Sequence, residues 1–139
     1  MKTSTLLIAA LLAAPVAHAH ITIEQSSAPA GAHQKLTFRV GHGCEGSATS
    51  GITIILPEAI ARAKPMPKSG WTIAIGEREV SWKGGPLPDS QYDEFVMQVK
   101  LPDGAGKQVF KVIQQCEKGR AEWTPALDVT PAAAQAHQH

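Results

Sequence analysis

The sequence has 139 residues, 13 of them lysine or arginine and 12 aspartate or glutamate, so its formal net charge is +1. Basic residues form no run or patch, and a nucleic-acid partner is therefore not expected. The length suits one domain with a substantial core. No apolar segment after the first one could serve as a membrane anchor.

The chain opens with the layout of a secretory signal peptide. A lysine near the start is followed by a short apolar stretch (6–14), a proline and the small-residue triplet AHA, which ends at Ala19. A membrane-spanning helix needs about 20 apolar residues, more than this stretch provides. We expect residues 1–19 to be removed by cleavage between Ala19 and His20, which gives a periplasmic or secreted protein. An apolar N-terminal helix of the folded domain is the alternative.

Cleavage at this point makes His20 the first residue of the mature chain. An α-amine has an ordinary pKa of about 7.7–8.0, so it loses its proton to a metal ion at modest cost. The amine and the Nδ1 atom of the same histidine can close a chelate ring. Cu(II) prefers tetragonal nitrogen and oxygen coordination and heads the divalent affinity series. An N-terminal His20 therefore suits copper, although cleavage sites also precede histidines by chance.

Period-two alternation of apolar and polar residues runs through most of the remaining chain. It predicts seven or so short strands, with the sequences KLTFRV, GITIILP, GWTIAI, EVSW, EFVMQVKLP, QVFKVIQQC and AEWTP. GWTIAI and EVSW are expected to form a hairpin across GER. Turns rich in glycine and proline separate the strands. This pattern predicts an all-β fold, an antiparallel β-sandwich.

The alternation also predicts which residues face the core. In KLTFRV the core face begins at Leu36, and in QVFKVIQQC the alternating positions are Phe110, Val112 and Gln114. In EFVMQVKLP the core face begins at Phe95. The residue before it, a glutamate, then points away from the core, where a solvated carboxylate is the usual finding and a metal ligand is the alternative.

Two cysteines, Cys44 and Cys116, are present. In an exported chain an even number of cysteines favours a disulfide, which here would close a long loop. A thiolate copper site is the alternative, and it needs a cysteine close to two histidines. Cys116 is followed by EKGRAEW, which contains no histidine or methionine, so the disulfide is the favoured prediction.

The other histidines and the methionines are weaker metal candidates. His33 and His42 lie in or beside turn segments, where solvated histidines are common. Met66 lies in a proline-rich loop and Met97 on the predicted core face. Because the methionines do not cluster, a thioether Cu(I) site is not expected. Trp71 and Trp82 are not metal candidates and are expected to pack in the core or beneath loops.

The C-terminal segment 127–139 is expected to be a flexible tail, which limits the predicted folded domain to residues 20–126. No large apolar residue follows Val129, and no periodic pattern is present. The tail carries His137 and His139. These imidazoles are candidates for auxiliary metal binding, and an ordinary solvated tail is the alternative.

Five segments resemble the successive blocks of the YcnI-like domain family: HITIEQSSAPAGAHQKLTFRV, CEGSATSGITIILPEAI, KPMPKSGWTIAI, VSWKGGPLPDSQYDEFVMQVKLPD and FKVIQQCEKGRAEW. The resemblance covers the mature chain as far as Trp123, and GPLPDSQYDEF is its most specific part. It implies a cupredoxin-like or fibronectin-like sandwich that takes part in bacterial copper handling outside the cytoplasm.

The resemblance also implies a mono-histidine brace. In such a site the N-terminal histidine binds Cu(II) through its amine and imidazole, a glutamate supplies an oxygen, and a tryptophan lies beside the metal. The matching residues of this chain are His20, Glu94 and Trp123, with Asp93 in place of Glu94 if the register differs by one. Some relatives carry a C-terminal membrane segment that this chain lacks, so we expect a protein without a membrane anchor.

These observations lead us to expect a periplasmic Cu(II)-binding protein that holds, buffers or delivers copper and is not an enzyme. Expected partners are the copper ion and other periplasmic copper chaperones or an oxidase assembly factor. One alternative is a copper-dependent oxidative enzyme, which needs a second histidine besides His20. Only His33 and His42 could provide it in the folded region. The other alternative is an immunoglobulin-like adhesion or assembly module without a metal.

Overall fold

The computed structural model describes residues 20–132. The predicted signal peptide (1–19) and the tail histidines His137 and His139 lie outside the described residues. The described part forms twelve strands: β1 (Thr22–Ile23), β2 (Ser27–Pro29), β3 (His33–Val40), β4 (Thr49–Ile55), β5 (Ala63–Pro65), β6 (Trp71–Ile75), β7 (Glu79–Leu87), β8 (Asp93–Lys100), β9 (Gly106–Val109), β10 (Lys111–Cys116), β11 (Arg120–Trp123) and β12 (Ala126–Thr130). Within it, no helix is long and apolar enough to cross a membrane.

The strands form three sheets. Their orders are β1-β3-β8-β5, β11-β10-β4-β7-β6 and β2-β12-β9. All pairings are antiparallel except the parallel pairing of β2 with β12. The hairpin predicted for GWTIAI and EVSW is present as β6 and β7. The predicted all-β, antiparallel sandwich is therefore confirmed.

The core lies between the two larger sheets and follows the predicted alternation. Phe38 on β3 and Phe95 on β8 are fully buried. Phe38 meets Phe110 edge-on, with ring centroids 5.6 Å apart, and Phe95 meets Trp82 at 5.5 Å. Burying one large apolar side chain contributes about 1.5–3 kcal/mol, so these inward faces fix the register of the strands.

The last strand corrects the predicted boundary of the folded domain. β12 pairs with β2 and β9, and its Leu127 is fully buried. Leu127 and Val129 alternate with exposed neighbours, but the proline- and alanine-rich residues that follow hide this short pattern. The folded domain therefore extends through Thr130 rather than ending at residue 126.

Strand pairing brings several chain segments to one end of the sandwich. Thr22 on β1 lies opposite Arg39 on β3, so the chain running back towards His20 lies beside the chain that leaves β3. β8 begins at the same end, with Asp93 opposite Val40. β1 and β11 are edge strands of the two larger sheets.

Candidate metal centre

Two of the predicted site residues meet where the edges of the two large sheets come together. Trp123 is the last residue of β11 and is half-buried. His20 directly precedes Ile21 and β1, and it is exposed. Its imidazole meets the indole of Trp123 edge-on, with centroids 5.3 Å apart and planes at 82°. The structure thus brings His20 and Trp123 together.

A second histidine contacts the same indole. His42 lies two residues beyond β3 and is half-buried. Its ring centroid is 6.0 Å from that of Trp123, with the planes at 80°. The sequence predicts a solvated turn histidine at this position. The structure instead packs His42 against Trp123, because the end of β3 directs the following segment towards the edge strand β11.

Gln114 on β10 joins these groups through hydrogen bonds. Its Oε1 atom accepts a bond of 2.9 Å from the indole Nε1 of Trp123. Its Nε2 atom donates to the carbonyl oxygen of His42 and to the hydroxyl of Thr49, both at 2.8 Å. Gln114 is fully buried, and in such surroundings these hydrogen bonds fix the indole relative to the His42 backbone. Sequence reasoning did not identify Gln114 as a site residue, although it is a polar residue on an apolar face.

The segment around His42 is also held covalently. Cys44 and Cys116 form the predicted disulfide, with their Cα atoms 6.0 Å apart. Both thiols are consumed, so a thiolate copper site is excluded. The N–H of Gly43 donates to the Asp89 carboxylate at 2.9 Å, and a Cβ atom on Gly43 would collide with the carbonyl oxygen of Ser47. His42 is therefore followed by a closely fixed backbone.

Glu94 lies on the outer face of β8, opposite Arg39, as the alternation predicts. Its Oε1 atom accepts a hydrogen bond of 2.6 Å from the phenol of Tyr92. This bond, followed by burial and by the negative charge of Glu94, raises the pKa of Tyr92 to about 12. The carboxylate thus stabilises the protonated form of the Tyr92 phenol. The fallback residue Asp93 forms an ion pair of 2.6 Å with Lys68.

The structure does not gather Glu94 with the two histidines. Within residues 20–132, no three side chains among histidine, cysteine, aspartate and glutamate lie close enough together to hold one metal ion. Coordination by Glu94 together with His20 therefore requires a change in side-chain position. Its role as a ligand stays a prediction.

The remaining sequence candidates lie elsewhere. Met97 is buried in the core, and Met66 is exposed. Trp82 is fully buried, and its indole N–H donates to the carbonyl oxygen of Met66 at 3.0 Å. His33 begins β3 and is exposed. None of these side chains takes part in the contacts around Trp123 described above.

The indole of Trp123 borders two open depressions. His20, Lys107 and Asp128 help to line the first, a groove of about 450 Å³. His42 and Arg120 help to line the second depression, of about 360 Å³. The site is therefore open to solvent, while the hydrogen bond to the buried Gln114 fixes the indole of Trp123.

The donor groups of this site fit Cu(II) better than a hard cation. Imidazole nitrogens suit copper, nickel and zinc, whereas calcium and magnesium take oxygen ligands. The backbone nitrogen of His20 belongs to a peptide bond in the 139-residue chain. It becomes an amine ligand only after cleavage at the predicted position.

Comparison with protein families gives one match. The family model described as "Domain of unknown function (DUF1775)" matches residues 20–80 and 75–139. The match begins at His20, the residue predicted to start the mature chain. No curated protein matches the sequence.

Solved structures with similar folds give an independent comparison. An uncharacterized protein from Nocardia farcinica, whose crystal structure reveals an immunoglobulin-like fold, is 25% identical, with a TM-score of 0.68 over 82% of this chain and 99% of that chain. BslA, a bacterial hydrophobin, is 14% identical, with a TM-score of 0.54 over 83% and 95%. The seventh ScaB type I cohesin from Pseudobacteroides cellulosolvens is 9% identical, with a TM-score of 0.53 over 86% and 97%. The last two likenesses concern the fold alone.

Proposed function

The chain belongs to the DUF1775 family, which includes the YcnI-like proteins, and we propose that its mature form is a periplasmic Cu(II)-binding protein. It holds, buffers or delivers copper through a site that begins at His20. The disulfide supports an extracytoplasmic location, since such bonds persist in oxidising compartments.

The contact between His20 and Trp123 is the observation that carries this proposal. An exposed imidazole lies edge-on to an indole whose own N–H is fixed by Gln114. An indole face attracts cations more strongly than the other aromatic rings do. Trp123 therefore shields one side of an ion held by His20, while the adjoining groove leaves another side open for loading and release.

The proposed ligands of the copper ion are the amine and Nδ1 of His20 and the carboxylate of Glu94. The chelate formed by His20 needs no other residue to orient it. Glu94 is the second residue of β8, at the same end of the sandwich, and its Oε2 atom supplies the oxygen ligand while Oε1 accepts from Tyr92. Binding is coupled to pH because the amine must lose its proton.

The proposed role is transport or storage of copper without a chemical reaction. Partners that suit this role are other periplasmic copper chaperones or an oxidase assembly factor, to which the open site could pass its ion. The tail histidines His137 and His139 are proposed only as auxiliary copper ligands.

Calorimetric titration with Cu(II) tests the proposal. The protein is prepared to start at His20, as verified by intact mass, and is compared with the same protein carrying an acetyl group on the His20 amine. We expect one tight equivalent in the first form and binding at least about tenfold weaker, equal to 1.4 kcal/mol, in the second. Equal affinity of the two forms would contradict a site built on the amine.

Two substitutions extend this test to the oxygen ligand. Glu94→Gln should weaken Cu(II) binding at least about tenfold. Loss of a group that only hydrogen-bonds a metal ligand already has an effect of this size. His33→Ala serves as the control, because His33 is the exposed first residue of β3 and takes no part in the contacts around Trp123. It should leave the affinity unchanged. Unchanged affinity in Glu94→Gln would remove Glu94 from the ligand set.

A further inference from the structure

His42 has surroundings typical of a metal-binding histidine rather than of a solvated turn residue. It is half-buried, and its ring contacts the indole that His20 also contacts. Two histidines that are 22 positions apart in the chain thus share one aromatic neighbour. The pairing of β1 with β3 explains this arrangement, because it brings the segment before β1 beside the segment after β3.

The ring of His42 also has a backbone hydrogen-bond partner. Its Nδ1 atom lies within hydrogen-bond distance of the carbonyl oxygen of Gly43. A donating Nδ1–H gives the tautomer whose lone pair is on Nε2. Histidines that bind metals commonly donate the other ring N–H to a carbonyl oxygen or a carboxylate, which fixes the ring and raises its basicity.

The backbone that carries His42 is fixed at His42 itself and on its C-terminal side. Its carbonyl oxygen accepts from the buried Gln114 amide. Gly43 is tied to Asp89, and Cys44 is tied to Cys116 by the disulfide. A ligand held this way loses little conformational entropy on binding an ion, so the site is preorganised on the His42 side.

We propose that His42 is the second imidazole ligand of the copper site. The inference rests on the proposed function and changes its ligand set from one imidazole to two, the number that the oxidative alternative also requires. The amine and Nδ1 of His20 and the Nε2 of His42 supply three nitrogens. A fourth, oxygen ligand completes the tetragonal arrangement that Cu(II) prefers, and Glu94 or water can supply it.

Counting coordinated imidazoles by pulsed electron paramagnetic resonance tests this inference. Each imidazole bound to Cu(II) contributes the modulation of its remote ring nitrogen, so one ring and two rings give different spectra. The protein starting at His20 is loaded with one equivalent of Cu(II). We expect two imidazoles in the wild type, one in His42→Ala, and two in the control His33→Ala.

The affinity of the same variants is measured by calorimetry, and we expect His42→Ala to bind Cu(II) at least about tenfold more weakly. A second variant, His42→Gln, keeps a polar side chain of similar size. Circular dichroism and thermal unfolding of both variants show whether the fold is retained.

The outcomes separate the two proposals. Failure of the wild type to bind one tight equivalent overturns the proposed function, and the role of His42 with it. Tight binding with a single imidazole signal in the wild type and in both His42 variants overturns the role of His42 alone. A two-imidazole signal that falls to one in His42→Gln and His42→Ala, but not in His33→Ala, supports it.

Discussion

Two groups at the same end of the sandwich are built in different ways. The Trp123 cluster consists of His20, His42, Gln114 and Trp123, and a fully buried amide holds its indole and the backbone of His42. The Glu94 pair consists of Tyr92 and Glu94 on the outer face. Its single hydrogen bond of 2.6 Å joins an exposed phenol to a half-buried carboxylate.

The difference shows which group can dictate the geometry of a metal site. Breaking the buried network leaves unpaired polar groups in the interior, which costs about 1–3 kcal/mol for each such group. Water readily replaces the partner of an exposed hydrogen bond. The Trp123 cluster is therefore the fixed part of the site, and the Glu94 pair is the part able to rearrange when an ion binds.

The largest expected effect comes from removing the covalent link beneath the cluster. The cysteines are 72 positions apart, and the chain-entropy relation gives roughly 4 kcal/mol for a loop of this order. We expect the double variant Cys44→Ala, Cys116→Ala to lose about this much stability in urea unfolding. A loss below about 1 kcal/mol would show that the remaining hydrogen bonds hold the His42 segment by themselves.

Gln114→Leu should have the next largest effect. It strips partners from the indole of Trp123, the hydroxyl of Thr49 and the carbonyl of His42, so we expect stability to fall by about 2–4 kcal/mol. Gln115→Leu is the matched control, because Gln115 is its exposed neighbour on β10 and should change stability by less than about 0.5 kcal/mol. Similar losses in both variants, measured by urea unfolding, would contradict a special role for the buried amide.

The two glycines beside His42 offer a smaller and sharper comparison. A Cβ atom on Gly43 would collide with the backbone of Ser47, whereas one on Gly41 would meet nothing within 4 Å. We expect Gly43→Ala to cost about 1–3 kcal/mol and Gly41→Ala to have little effect. Thermal unfolding of the two variants checks this order, and an equal response would show that the segment adjusts freely.

The Glu94 pair is tested by titration rather than by stability. Tyr92 is the single tyrosine of the sequence, so phenolate absorbance reports it alone. Its pKa should be about 12 rather than the ordinary 10.0, and Glu94→Gln should lower it because the charged acceptor is lost. A pKa that does not change in Glu94→Gln would show that the bond to Glu94 does not control this phenol.

The sign of the corresponding stability change follows from the raised pKa. The folded state retains the phenol proton over a range in which the unfolded chain has lost it. The stabilisation is therefore fully present below the unfolded pKa of 10.0 and is lost as the pH rises through about 12. Below pH 10 the raised pKa of Tyr92 adds no pH dependence to unfolding.

The sequence pattern predicted the long strands well and the short ones poorly. Strands such as β3 and β8 bury one face, so alternation reveals them. β1, β2 and β5 contain two or three residues each, which is too few for a period to be visible. β12 alternates, but the low-complexity residues after it made the whole segment resemble a tail.

The candidate site was only partly accessible from the sequence. His20 followed from the logic of signal cleavage, and Trp123 was assigned by family resemblance. His42 and Gln114 are 72 positions apart, and their hydrogen bond depends on how the two large sheets pack. No local pattern reports such a contact. The glutamine on an apolar face was the one available signal, because buried polar groups need partners.

We propose that one Cu(II) ion binds beside Trp123 in the protein that starts at His20. Fluorescence titration of that protein with Cu(II) tests it most directly, because a bound Cu(II) ion quenches nearby indoles. We predict saturable quenching at one equivalent in the wild type. In Trp123→Phe the remaining emission of Trp71 and Trp82 should change little. Equal fractional quenching in the two proteins, or no saturation at one equivalent, would contradict the claim.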